Sequence, residues 1–134
     1  MITVDEMRRR FDNSPCALYF GMKLVDLSEG YARVEMQVRE EFLNWENMVQ
    51  GGIIATLLDQ AFGSACNTME NVHVAVQMNI HFLSAARVGE TVYAESRVLR
   101  AGKRMGASEM SVMDSRGQTI AMATGTTVCI GTRS

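Results

Sequence analysis

The chain has 134 residues, a length that at roughly 100–200 residues per domain holds one domain, residues 1–134, with a radius of gyration of about 14 Å. Apolar residues make up 47% and charged residues 21%, close to globular averages, which supplies a core and excludes a disordered chain. The net charge is −2 and only two of the 13 basic residues are lysines, Lys23 and Lys103, so no broad basic field exists to hold nucleic acid.

Thr3 and Glu6 have capping-box spacing, and Val4, Met7 and Phe11 share one face of a short helix that leaves Arg8, Arg9 and Arg10 toward solvent. Asn13-Ser14-Pro15 sets a cap residue before a proline at the first helical position, which predicts a second short helix ending near Gly21. Residues 22–38 then alternate, with Ala32, Val34, Met36 and Val38 against Tyr31, Arg33, Glu35 and Gln37, and a turn at Glu29-Gly30 makes them a hairpin with one buried face. Residues 40–50 carry no period and read as a loop. The stretch 51–69 repeats apolar residues at Ile53, Ile54, Leu57, Leu58, Ala61, Phe62, Ala65, Cys66 and Met69, a stripe wide enough for a buried central helix.

From Val72 the period is two: Val74, Val76, Met78, Ile80 and Phe82 point one way, and His73, Ala75, Gln77, Asn79 and His81 the other. Further strands are predicted over 91–100, 107–114 and 120–130, with a turn at Asp114-Ser115-Arg116-Gly117. The expected fold is α+β, a hairpin and a four-strand antiparallel meander packed around one long helix.

Chemistry concentrates at that helix. Gly51 and Gly52 open it, where unpaired N–H groups and the positive end of the helix dipole can stabilise a carbonyl oxygen gaining charge; the same pair also suits simple close packing. Asp59 stands among apolar neighbours, either with a task or with a hydrogen-bonding or solvent role beside Thr56 and Gln60. Seven residues put Gly52 and Asp59 on one face but about 10 Å apart. A base must come within about 3 Å of its target or of an intervening water, so if both act on one bond, two subunits share the site.

The string Asn44, Gln50-Gly51-Gly52, Asp59 and Ala61-Phe62-Gly63, with Asn-Ile-His-Phe-Leu at 79–83 and Val-Gly-Glu-Thr-Val at 88–92, resembles the hotdog-fold acyl-CoA thioesterases of the phenylacetate-degradation and 4-hydroxybenzoyl-CoA type. The resemblance implies an antiparallel sheet wrapped around the central helix, hydrolysis of an acyl-CoA to free acid and CoA, and a homodimer or homotetramer. It implies Asp59 as nucleophile or general base, the Gly51 N–H on the thioester carbonyl, and Asn44 and Gln50 beside the reacting group. Two positions depart from the pattern: Gln50 stands where histidine is usual, and Ala75 where some members carry Ser or Thr. Glutamine orients by hydrogen bonds but does not titrate, so a non-catalytic acyl-CoA-binding protein is the alternative.

Gly52, Met48 and Phe62 are candidates for the acyl pocket, and Lys103 and Arg104, in a turn that could equally be merely solvated, for the phosphates of CoA. His73 and His81, expected on one strand face, lack metal-ligand company, so neither a metal nor a cofactor is expected. The three cysteines, Cys16, Cys66 and Cys129, have no disulfide or redox spacing. No apolar run approaches the ~20 residues of a membrane span, and the charged N-terminal stretch is unlike a signal peptide, which points to the cytoplasm. Eleven methionines stand against one proline; Met22, Met36, Met69, Met78, Met110 and Met122 are expected as core filler, with Met48 at the pocket.

Overall fold

The computed structural model describes residues 3–132. Helix α1 (Val4–Asp12) is started by the Thr3 hydroxyl, which accepts the Glu6 N–H at 3.1 Å, and it buries Phe11. Of the three arginines expected in solvent, Arg8 turns back and donates to the Leu24 carbonyl at 2.7 Å, clamping α1 to the sheet. Helix α2 (Pro15–Phe20) has Ser14 as its cap and ends at Gly21, whose φ of 68° is the left-handed geometry that glycine adopts without strain.

Six strands follow: β1 (Lys23–Ser28), β2 (Tyr31–Gln37), β3 (Asn71–Phe82), β4 (Thr91–Ala101), β5 (Met105–Asp114) and β6 (Thr119–Thr132), with the long helix α3 (Gly51–Cys66) between β2 and β3. All pairs are antiparallel, in the order β1-β2-β4-β5-β6-β3. This corrects the expected four-strand meander. β4 joins β2, and β3 crosses to the far side, where it pairs with β6. The helix explains the exchange: α3 packs chiefly on β2 and β4, whose inward residues Ala32, Ala94 and Ser96 are short enough to let it settle against the sheet.

The expected phase of β3 also changes. Ala75 pairs with Thr127 and Gln77 with Thr126, so Val76 is an extra residue, a bulge that reverses the alternation before it. His73 therefore faces inward and is buried, while His81 lies on the outer face of the sheet; the two histidines do not share a side. As an edge strand β3 covers little, and Val74 (41% exposed) and Val76 (56%) are left in solvent.

The core runs along the inner face of α3. Ile54, Leu57, Leu58, Ala61, Phe62 and Ala65 are all buried there, and full burial of each large side chain contributes about 1.5–3 kcal/mol. Such packing holds the helix despite its three glycines. Met22, Met36 and Met110 join this core, whereas Met122 is exposed on the outer face, outside its expected place.

Candidate active site

At the start of α3, Gln50 takes the cap position without a side-chain cap bond, and the Ile53 N–H returns to the Gln50 carbonyl at 2.9 Å. The N–H groups of Gly51 and Gly52 find no acceptor among the described residues. They are two free donors at the positive end of a 16-residue helix. Beside them lies a cleft of about 340 Å³ lined by Asn44, Met48, Val49, Gly51, Ile54, Phe82, Leu83, Ser84, Ala85, Ala86 and Ile120. Its walls are mostly apolar with a few polar groups, the composition of a small-molecule site.

The loop before α3 is built on Asn44. Its Oδ1 accepts the N–H of Glu46 at 2.9 Å and of Met48 at 3.2 Å, and its own N–H donates to the Met48 carbonyl at 2.7 Å. That side-chain oxygen is therefore occupied in holding the loop. Only the Asn44 Nδ2 group lacks a partner among the described residues and remains as a donor. Gln50 is exposed and its side chain makes no hydrogen bond.

Asp59 lies on the opposite face of α3 from the core, exposed in the single chain and without a hydrogen bond or ion pair among the described residues. The protein around it still removes enough water to raise its pKa above the ordinary aspartate value. Its neighbours on that face are small: Gly52, where a side chain would meet no atom within 4 Å, Thr56, bonded to the Gly52 carbonyl at 2.8 Å, and Gly63.

A second acid shows what a structural carboxylate looks like here. Burial alone would raise the pKa of Asp114, but the N–H groups of Gln118 and Arg116, both at 2.9 Å, and the Arg116 guanidinium at 3.2 Å outweigh it and hold it below its ordinary value. Asp114 closes a hairpin, whereas Asp59 closes nothing.

Two groups of candidates lie elsewhere. Phe62, expected in the acyl pocket, is 1% exposed and sits in the core against Gly125 and Met110, because its helix face turns to the sheet. Lys103 and Arg104 occupy the β4–β5 turn at the other end of β3, pinned by the buried His73, whose Nε2 meets the Gly102 carbonyl at 3.0 Å and whose Nδ1 meets the Thr127 hydroxyl at 2.7 Å. Eleven strand steps of roughly 3.3 Å put that turn about 36 Å from the cleft within one chain.

Sequence reasoning missed Phe82, Ile120 and the segment 83–86 as cleft residues. Alternation gave Phe82 only a strand face, and no local signal marks a segment that meets α3 only through the fold. Phe82 lies against Gly51: a Cβ built on that glycine would come 3.2 Å from the ring.

The thioesterase superfamily family model matches residues 46–121. The chain is 31% identical to the acyl-coenzyme A thioesterase PaaI of Escherichia coli over 121 residues, covering 90% of this chain and 86% of that one. It is 36% identical to human acyl-coenzyme A thioesterase 13 over 84 residues, 61% of this chain and 60% of that one. The structure of the E. coli PaaI protein, from the phenylacetic acid degradation operon, superimposes with a TM-score of 0.88 over 92% of this chain and 90% of that one. The Streptococcus mutans protein smu.793 bound to acetyl CoA, 26% identical, gives 0.80 over 84% and 91%.

Proposed function

The chain belongs to the thioesterase superfamily, and from that premise we propose that it hydrolyses acyl-CoA thioesters to free acid and CoA at a site completed by two copies of the chain. The observation that carries this reading is the free Gly51 N–H opening into an apolar cleft, on the same helix as a carboxylate with no structural partner. The thioester carbonyl oxygen accepts from Gly51, and the Asn44 Nδ2 group supplies a second donor. Charge that develops on that oxygen meets a fixed dipole.

Asp59 does the proton work. As a base, it takes a proton from water while the water oxygen bonds to the carbonyl carbon; the C–S bond then breaks and the proton passes from Asp59 to the departing sulfur. As a nucleophile, its carboxylate would attack the same carbon, the C–S bond would break with CoA leaving as the thiolate, and water would then split the resulting anhydride into the free acid and a protonated Asp59 that returns its proton to the thiolate. Gln50 has no part in the proton transfer, and its exposed amide orients the thioester.

Asp59 is eight residues from Gly51, about 12 Å along the axis, so the carboxylate that meets a carbonyl at Gly51 belongs to a second copy. The unpaired edge of β3, with Val74 and Val76 exposed, is the natural seam. Antiparallel pairing of two β3 edges about their midpoint would also bring the Lys103-Arg104 turn of one copy beside the cleft of the other, within reach of CoA phosphates.

Release of thiol from a panel of acyl-CoAs tests the reading, with Asp59→Asn as control. Turnover unchanged in that variant sinks the role of Asp59. Gln50 and Ala75 favour the second reading, a non-catalytic acyl-CoA-binding protein; tight calorimetric binding with no hydrolysis at any chain length would establish it instead.

A further inference from the structure

We infer that Phe82 sets the upper limit on acyl size at this site, through its contact with Gly51. The inference rests on the thioesterase reading above and adds to it a residue that selects compact acyl groups over long ones. The cleft, about 340 Å³, is at the low end of the roughly 300–1,000 Å³ typical of small-molecule sites. Its floor cannot give: Ile54 and Ile120 are core residues, 3% and 2% exposed. Phe82 differs, since it ends an edge strand and is 55% exposed.

The ring lies where selection is most effective. It rests on Gly51, whose N–H holds the thioester carbonyl, so the first carbons of the acyl group must pass between Phe82 and the floor formed by Ile54 and Ile120. This also gives Gly51 a steric purpose beyond its N–H. A Cβ there would come 3.2 Å and 3.4 Å from two ring atoms, so a side chain at residue 51 would push the ring slightly from its place.

The test is kcat/KM for butanoyl-, hexanoyl-, decanoyl- and dodecanoyl-CoA with the full chain and three variants. Phe82→Ala should raise the dodecanoyl-to-butanoyl ratio by about tenfold or more, the scale on which apolar pockets discriminate. Phe82→Leu should raise it less. Gly51→Ala keeps the backbone N–H and should lower kcat/KM for butanoyl-CoA; in the Phe82→Leu background, where the side chain can yield, that loss should shrink by about threefold or more. A merely structural role for Phe82 predicts equal losses at all chain lengths and independent effects of the two substitutions, and either result overturns the inference. Thermal melts check folding, and Phe82→Leu carries the test where Phe82→Ala does not fold. If the wild-type chain hydrolyses nothing, the thioesterase reading fails, and the same ratios taken from calorimetric binding constants still decide whether Phe82 limits acyl length.

Discussion

The two ends of α3 make the same contact, phenylalanine on glycine, in opposite settings. On the core face, Phe62 presses on Gly125, where an added Cβ would fall 2.4 Å from the ring, and the contact is sealed by Met110. At the N-terminus, Phe82 rests on Gly51 with the looser spacing of 3.2 Å, and more than half of its surface faces solvent. One contact is locked by neighbours on every side; the other is closed on one side only. The same division separates the acids: Asp114 is satisfied by its own hairpin, and Asp59 is left bare. The start of α3 and its Asp59 are thus both left open, and the proposed site puts a substrate and a second copy there.

The sharpest way to break this contrast is Asp59→Asn. On the open face it should lower kcat by about 10²–10⁴-fold, measured by thiol release. The raised pKa means that the folded chain disfavours the charged carboxylate. Its stability contribution is therefore greatest below the unfolded pKa and is lost as pH rises through the folded one, so the same variant should melt slightly higher at neutral pH. Loss of activity with a gain of stability is the mark of a functional group and the reverse of what a core residue gives.

On the locked face, Phe62→Ala should cost about 3–5 kcal/mol in denaturant unfolding, and Gly125→Ala about 1–3 kcal/mol through overpacking. If Gly125→Ala proves neutral, the two glycine contacts are not different in kind. Val76→Lys on the β3 edge should shift sedimentation toward monomer and lower activity by about tenfold or more, because each cleft would lose the second copy's carboxylate. A monomer with full activity would refute the shared site. Smallest in amplitude is the pH profile: kcat/KM should fall on the acid side as Asp59 protonates, with a midpoint above the ~3.9 of an ordinary aspartate. Asp114 has the opposite sign; its depressed pKa contributes stability above the unfolded value, lost as pH falls through the folded one.

Much of this was legible in the chain. Ser14-Pro15, the alternation of 31–38 and the apolar stripe of 53–69 each act over neighbours a few residues apart, and each formed its element, although α3 ends at Cys66, before Met69. The free N–H groups of Gly51 and Gly52 followed from their place at a helix start. The motif pointed to Asn44, which lines the cleft, but not to its geometry, because its oxygen is taken by Glu46 and Met48 in a loop without a period. Phe62 was expected in the pocket and Phe82 stands there instead: both are apolar residues in periodic segments, and periodicity assigns a face without saying what lies opposite.

The sequence by itself determined the elements, the glycine start of α3 and, by its motif, the family, since these depend on local spacing and residue type. Only the tertiary structure decided the strand order, the bulge at Val76 that separates His73 from His81, and the cleft closed by Phe82, Ala86 and Ile120. Those features depend on contacts between residues tens of positions apart, where short side chains under α3 and the register of β3 on β6 select one packing from several that the same local pattern allows.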